Sequence, residues 1–551
     1  MEYDAVIVGS GAGGLTAAVV AAQQGLRTLL LESTPYFGGT TAWSGGAAWI
    51  PCNNLMQAIG RDDDREQAKL YLRGIIGNLY DDEKIDAFLD HGPRMVDYLL
   101  ANSDVRMWAS DFPDYEMEMP GASVGRTIFA EEDDARRLGP LRAALRPPRR
   151  DTLLFGSMQL APADPYILKR AHKSVPAMLH AARLFAQFAF HRLIYGRGMR
   201  VTNGNALAAR LLLSARDAGV TLWNEARATR IVLEDGAVRG IDVLKDGETQ
   251  RIAVRKGVVL ASGGFGHDQA LREKYVPHAR HGYSLQPEGS RGDGIRMGVA
   301  AGGRIVEDNV ANGIWQPISV WHDPAGAMQA EIYWFSRLSP GSLIVDAASG
   351  KRFVNEASNY HSFVREMNAR GIERGWQISD SRAVSKYGIG LVKPWPFRPS
   401  PWIRRGYLKR AGTIRDLARQ IGLDPATLEN SVGRFNDHAI HGRDPDFHKG
   451  ESGYSRYLGD PEHQPNPCVG PIVAAPFYAV PLHPGETSAA AGLETNAQAQ
   501  VLGSDNRPIP GLYAAGLDNN SIMRGTYPGA GASIGPAMTF GYIAARHLAH
   551  P

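Results

Sequence analysis

Cysteine is nearly absent. The 551-residue chain has only Cys52 and Cys468 and no CxxC pair. That excludes a disulfide framework and a cysteine-ligated iron–sulfur cluster. A reducing compartment, the cytoplasm, is the default expectation. No run of 18 or more apolar residues occurs, so no segment is expected to span a bilayer. The opening residues Met1-Glu-Tyr-Asp-Ala-Val-Ile-Val-Gly9 lack the basic stretch and cleavage site of a secretory signal. Charge of neither sign dominates: 60 Lys and Arg face 57 Asp and Glu, for a net +3. Such balance argues against a nucleic-acid partner, and no metal site is expected.

Glycine is what the chain has in excess, at 62 residues, well above the average of about 7%. No G-X-Y period accompanies it, so collagen is excluded. The glycines are instead expected where backbone closely approaches something else.

The first forty residues predict a βαβ unit. Asp4-Ala-Val-Ile-Val8 is a short buried strand, Gly9-Ser-Gly11-Ala-Gly-Gly14 a turn, Leu15 to Gly25 a helix, and Thr28-Leu-Leu-Leu31 the next strand. Residues 55 to about 200 read as a mainly helical insertion. Acidic helix starts stand at Asp62 and Asp81, and a basic, proline-broken surface connection at 138–150. From Gly204 the α/β pattern returns, with hairpin turns at Asp235-Gly236 and Asp246-Gly247. Residues 281–490 are richer in aromatics and proline and read as a second, α+β domain. Its features include a strand Ser342–Asp346 and helix starts at Thr413 and Asp424-Pro425. Residues 491–551 return to the first pattern. The expected architecture is therefore α/β: a Rossmann-type dinucleotide domain (1–280 and 491–551) with a helical insertion, plus a substrate-capping α+β domain.

Gly9-x-Gly11-x-x-Gly14, between strand and helix, with Glu32 ending the next strand, reads as a dinucleotide site. Gly9 permits the turn, Gly11 admits the pyrophosphate, and Glu32 accepts from ribose hydroxyls. Phe37-Gly-Gly-Thr-Thr-Ala-Trp-Ser-Gly-Gly46 follows at once, and Gly511-Leu-Tyr-Ala-Ala-Gly516-Leu-Asp518 closes the chain's return. Contacts from both ends suit the long FAD molecule better than NAD, and no second GxGxxG offers a nicotinamide site. The densest motif is Gly525-Thr-Tyr527-Pro-Gly529-Ala-Gly531-Ala-Ser-Ile-Gly535-Pro536. It is a loop of free N–H groups opening a helix, suited to anionic reduced flavin.

On these motifs, with Trp49-Ile-Pro, Pro113-Asp-Tyr115, Gly263-Gly-Phe-Gly, Gly292-Asp-Gly294 and Lys351-Arg-Phe-Val-Asn-Glu356, the chain resembles flavoproteins of the fumarate reductase/succinate dehydrogenase superfamily. Within it, the chain resembles the 3-ketosteroid dehydrogenases over nearly its whole length. The resemblance implies cofactor contacts at Gly9, Gly11, Gly14, Glu32, Gly39, Thr40, Thr41, Ser44, Gly45, Gly46, Ala226, Gly263, Gly516, Asp518, Ser533 and Ile534. Where succinate dehydrogenases carry a flavin-linking His, this chain has Gly39-Thr40-Thr41-Ala42, which implies non-covalent FAD. The family loop Tyr-Pro-Gly-Pro-Gly has Ala530 in place of its second proline, which leaves Δ1 against Δ4 regiochemistry open.

The resemblance also implies a mechanism. Tyr527 hydroxyl and Gly531 N–H would hold the C3 carbonyl oxygen, a tyrosine would take the α-proton, and a β-hydride would leave to the flavin. Tyr115 matches the assisting tyrosine. Tyr333, in Glu331-Ile-Tyr-Trp-Phe335, is the first candidate for the base, with Tyr283, Tyr360 and Tyr478 in reserve. His267 and His483 are candidate general acids. Each of these aromatics reads equally as core packing. The implied partners are a lipophilic ketosteroid and a quinone-type or artificial electron acceptor. The apolar and basic stretch Met178–Tyr195, followed by Arg197 and Arg200, reads either as a membrane-surface helix or as a core helix with a solvated face. An ene reductase would instead need Arg291, Arg337, Arg352 or Arg524 to grip a substrate carboxylate. A carrier subunit passing electrons would need a partner-cofactor motif, and none is present.

Overall fold

The computed structural model describes residues 1–551 apart from 173, 277–282, 327, 334–335 and 395–396. Trp334 and Phe335, quoted beside Tyr333, and the expected domain boundary at 280/281 lie outside the described residues.

The chain opens with strand β1 (Glu2–Val8), helix α1 (Ala12–Gln23) and strand β2 (Thr28–Leu31). α2 (Arg65–Ile76) and α3 (Asp82–Asn102) start the insertion, capped by Asp64 and Asp81 accepting from backbone N–H groups of the first turn. α4 (Val175–Tyr195) ends it, and α5 (Asn203–Asp217) leads back to β3 (Thr221–Trp223), β4 (Ala226–Glu234), β5 (Ala237–Lys245) and β6 (Glu248–Leu260). Both Asp-Gly turns carry positive φ at both residues (51° and 76°, 54° and 82°), the geometry that twists a two-residue hairpin correctly.

The insertion is less helical than expected. Ala47–Trp49, Met107–Ala109 and Thr127–Ala130 form a three-stranded antiparallel sheet beside its helices. Strands this short leave too few residues for alternation to register. Nor is 138–150 merely a surface connection: Arg146 is buried there, with its backbone N–H bonded to Phe37 O at 2.8 Å.

β6 shows how sequence selects its two environments. Its first half alternates exposed and buried residues and pairs antiparallel with β5. Its last four residues are all buried and run parallel to β1, as a strand covered on both faces requires. The second domain contributes β7 (Gly313–His322), β8 (Met328–Ile332), β9 (Ser342–Asp346), α6 (Tyr360–Ala369), β10 (Gly375–Asp380), β11 (Lys409–Ala411) and β12 (Phe477–Ala489). They form a six-stranded antiparallel sheet ordered β8-β7-β12-β10-β9, with β11 paired to β12. β13 (Gln500–Leu502) and β14 (Pro508–Ala514) then rejoin the first sheet, ordered β13-β14-β6-β1-β2-β3, and α7 (Ile534–Ala549) packs on α1. That packing is close. A Cβ at Gly541 would lie 2.3 Å from Gly13 O, and one at Gly13 2.8 Å from Ala537 O. The C-terminal glycine loop is thereby fixed over the N-terminal glycine turn.

Candidate active site

At the carboxyl end of β1 the chain turns through Gly9 (φ +105°), where a Cβ would fall 2.1 Å from Ala261 O. Gly14 would bring a Cβ to 2.0 Å from Gly9 O. Both are therefore glycine for reasons internal to the fold. Gly11 and Gly516 differ: a Cβ at Gly11 meets only Thr41 Oγ1 at 3.7 Å, and one at Gly516 meets nothing within 4 Å. Open space beside small residues on the crossing of two chain segments is what a cofactor cradle leaves. Thr41 Oγ1 accepts from Ala12 N–H at 2.9 Å, whereas the buried Thr40 Oγ1 has no partner among the described residues. Ser44 Oγ accepts from Gly46 N–H at 3.1 Å. Gly39 lies against Gly11, Gly263 beside Ser290, and the Ala226 N–H donates to Glu32 O at 2.9 Å. Gly45 is half-buried between Ser44 and Gly46. A pocket lined by Gly516, Ser533, Pro536 and Ala537 continues to Tyr527. Ser533 stands just before α7 and Ile534 begins it. These features fit an extended dinucleotide.

Two acids expected at the cofactor accept hydrogen bonds from the chain itself. Glu32 accepts from Ser10 Oγ at 2.5 Å and from Thr34 N–H and Oγ at 2.9 and 2.8 Å, so Ser10 and Thr34 orient it. Asp518 was expected at the ribityl chain. Its carboxylate instead accepts from Ser262 N–H (2.5 Å) and Oγ (3.1 Å) and from Gly264 N–H (3.1 Å). It clamps the loop after β6 to the loop after β14. Burial raises its pKa to about 6, with the bonds from Ser262 and Gly264 opposing the rise. Arg146, unnoticed in sequence, donates to Thr34 Oγ1 at 2.8 Å beside Glu32.

Tyr527 lies beneath the second domain. Its ring is 5.8 Å from Tyr115, 5.5 Å from Tyr360 and 6.1 Å from His361. Tyr115 in turn lies 5.4 Å from Tyr360 and 4.9 Å from Tyr454. The Tyr360 hydroxyl is hydrogen-bonded to those of Tyr115 and Tyr527, and burial pushes both Tyr115 and Tyr360 well above the usual phenol range. His361 Nδ1 accepts from Trp315 N–H at 3.1 Å, and burial lowers it to about 3, so it stands as neutral imidazole. Gly531 (φ +90°) accepts at its carbonyl from Trp49 and Gly535 N–H. Among the described residues its own N–H has no acceptor. The loop is buttressed from below. Pro528 O accepts from Tyr115 N–H at 2.8 Å and Tyr71 hydroxyl at 2.7 Å. Trp49 Nε1 donates to Asp114, which pairs with the buried Arg126 at 2.7 Å.

The structure does not bring Tyr333 into this group. Its hydroxyl is buried near Pro481 O at 3.5 Å, with Ser319 and Tyr407 as neighbours. Tyr360, on the first turn of α6, occupies the place expected of it. Asn359 caps that turn by accepting from Ser362 N–H, which aims the turn at the Tyr527 loop. Among the reserve candidates, Tyr283 stacks edge-on with His483 at 5.2 Å, and Tyr478 lies in β12 within the second domain's core. His267 bonds Gln286 O at 2.8 Å. Of the four arginines an ene reductase would draw on, Arg337 bonds only backbone carbonyls, and the other three are engaged elsewhere. Arg352 is buried against Glu356 and Asp444 at 2.8 Å, Arg524 pairs with Asp308 at 2.9 Å, and Arg291 donates to Glu288 O.

A Rossmann-like cradle, a glycine loop and a ring of phenols define the class: a flavin-dependent dehydrogenase. The family model described as "FAD binding domain" matches residues 4–534. A 3-oxosteroid 1-dehydrogenase of Mycolicibacterium smegmatis is 36% identical over 100% of this chain and 97% of its own. A 4-oxocyclohex-2-ene-1-carboxylate 5-dehydrogenase of Sinomonas cyclohexanicum is 37% identical over 99% and 93%. The crystal structure of 3-ketosteroid delta1-dehydrogenase from Sterolibacterium denitrificans, in complex with 1,4-androstadiene-3,17-dione, superposes with TM-score 0.91 at 34% identity, covering 100% of this chain and 99% of that one. The chain belongs to the FAD-binding domain family, on the branch of the 3-ketosteroid dehydrogenases. It is an FAD-dependent oxidoreductase.

Proposed function

We propose that the enzyme desaturates a 3-ketosteroid across C1–C2. The observation that carries this reading is the meeting of Tyr527 hydroxyl and the unbonded Gly531 N–H with the hydrogen-bonded pair Tyr360–Tyr115. Tyr527 and Gly531 hold the carbonyl oxygen and stabilise the enolate that develops there. Tyr360 takes the α-proton, and Tyr115 orients its hydroxyl. When bound, FAD supplies the acceptor for the hydride leaving the β-carbon. Gly11, Thr40, Thr41, Ser44, Gly516, Ser533 and Ile534 would hold FAD, non-covalently. The buried, orphaned Thr40 Oγ1 supports that placement.

The site chemistry alone suits any cyclic ketone, and a relative at 37% identity is named for a 4-oxocyclohexene carboxylate. The steroid reading is preferred because the full-length structural match holds a steroid. Anaerobic mixing of the yellow enzyme with androst-4-ene-3,17-dione, a 5α-saturated 3-ketosteroid, or 4-oxocyclohex-2-ene-1-carboxylate tests it. Flavin bleaching is expected with the first. Bleaching with the carboxylate alone rejects the steroid reading.

The electron acceptor is proposed to be quinone-like and reached at the inner face of a membrane. Among the described residues no helix is long and apolar enough to cross a bilayer. α4 buries only Ala177, Ala181, Leu184 and His191, while Leu179, Phe190, Leu193 and Ile194 are exposed, Leu193 at 86%. A core helix would not leave that face open. α4 and the turn after it carry exposed Arg183, Arg192 and Arg197 and no acid, a local charge suited to anionic lipid. Serine at Leu179, Leu193 and Ile194 together is expected to abolish co-sedimentation with anionic vesicles while leaving flavin reduction unchanged. Unchanged co-sedimentation would reject the contact.

A further inference from the structure

Arg337 is 0% exposed. Its Nε donates to Tyr333 O at 3.1 Å, and Nη1 donates to the carbonyls of Glu356 and Ser358. Nη2 makes no close hydrogen bond among the described residues. No carboxylate pairs with Arg337 there. Glu356 is the nearest acid in charge terms, but Arg352 holds it at 2.8 Å and also grips Asp444. Lys449, also fully buried, donates to the carbonyls of Ser339 and Ser342. The pocket thus holds Arg337, Arg352 and Lys449 against Glu356 and Asp444, an excess of one positive charge. A buried charge without a partner is strongly disfavoured, so this excess needs an anion nearby. The guanidinium lies over the Phe363 ring at 5.5 Å, and the ionisable groups facing it are Tyr454, Tyr115, Cys468 and Glu356. Tyr454 is also faced by Glu116 and Cys468, while Tyr115 and Tyr360 are faced by each other and by Tyr527.

We propose that Arg337 is a positioning residue for the reaction: an unbalanced buried guanidinium that supplies, through Tyr454 and Tyr115, the countercharge when Tyr360 gives up its proton. The argument rests on Tyr360 being the base. The balance is simple. The phenol network loses one proton to solvent before turnover. The α-carbon's proton then forms the new O–H bond on Tyr360, and the electron pair of the broken C–H bond becomes the enolate held by Tyr527 and Gly531. Burial, together with the phenols of Tyr115 and Tyr527, drives Tyr360 toward the neutral form; a fixed cation that already favours the charged form of Tyr115 would oppose it without approaching the substrate. Burial lifts Tyr454 to about 12, and the Arg337 guanidinium opposes that rise.

The test is the pH dependence of anaerobic flavin reduction at saturating ketosteroid, in FAD-replete enzyme. Arg337→Gln is expected to move the ascending limb at least one unit to higher pH. That is a tenfold or greater loss near pH 7, regained toward pH 10, with Arg337→Lys restoring much of it. Tyr454→Phe, which keeps the buried cation, is expected to shift the limb in the same direction and serves if Arg337→Gln does not fold. An Arg337→Gln or Tyr454→Phe enzyme slowed equally at every pH, or unchanged, overturns the proposal. Tyr360→Phe separates the two readings. If it retains the parent rate, the base assignment itself fails. If it is inactive while the Arg337→Gln profile matches the parent, only the role of Arg337 fails.

Discussion

Phenylalanine at 527 removes one hydroxyl and leaves the ring packed against Tyr115, Tyr360 and His361. One oxyanion donor is worth about 2.7–4 kcal/mol, so Tyr527→Phe should slow flavin reduction roughly 100- to 1000-fold, read by stopped-flow bleaching. Tyr360→Phe and Tyr333→Phe form the sharper pair. Tyr360→Phe should all but abolish reduction. Tyr333→Phe should leave the rate within a few-fold of the parent, because its hydroxyl sits with Pro481 and Ser319 away from the loop. The glycine loop before a helix was conspicuous in sequence, but the roles proposed for Tyr527 and Gly531 come from its resemblance to the family's loop. Tyr360 stood only in reserve, behind Tyr333. A base delivered by the first turn of a helix in another domain leaves no local pattern, and Tyr333 and Tyr360 both look like buried aromatics until the domains are folded together.

Strands and helices carried their own signals. The Asp-Gly hairpins, the buried half of β6 and the caps at Thr413 and Asp424 appear where composition puts them. The short sheet inside the insertion did not show, since three-residue strands have no period. Nor did the clamp at Asp518, whose sequence neighbourhood suits a cofactor ligand equally well. Asp518→Asn replaces acceptor oxygen with a donor facing the N–H groups of Ser262 and Gly264. At about 1–3 kcal/mol for an unsatisfied buried group, it should lower the thermal midpoint of the holoenzyme and weaken FAD retention. Equal melting of variant and parent would return Asp518 to the cofactor's own contacts.

At the scale of the whole molecule, one sheet carries the cofactor cradle and a second lowers α6 onto it. The site exists only where Thr526–Gly531 from the chain's end meets Tyr115 from the insertion and Tyr360 from the second domain. Glycine excess anticipated a long cofactor, and the apolar, basic stretch of α4 was legible as well, but its open face was not. Acid precipitation should release all the yellow colour into the supernatant, because no His follows the Gly38-Gly39 pair. Colour retained in the pellet would show a covalent link. The central claim is Δ1-desaturation. Under anaerobic conditions androst-4-ene-3,17-dione should bleach the flavin stoichiometrically and yield the 1,4-diene-3-one. Flavin that stays yellow, or bleaching only by a 5α-saturated ketosteroid with a 4-ene product, would contradict it.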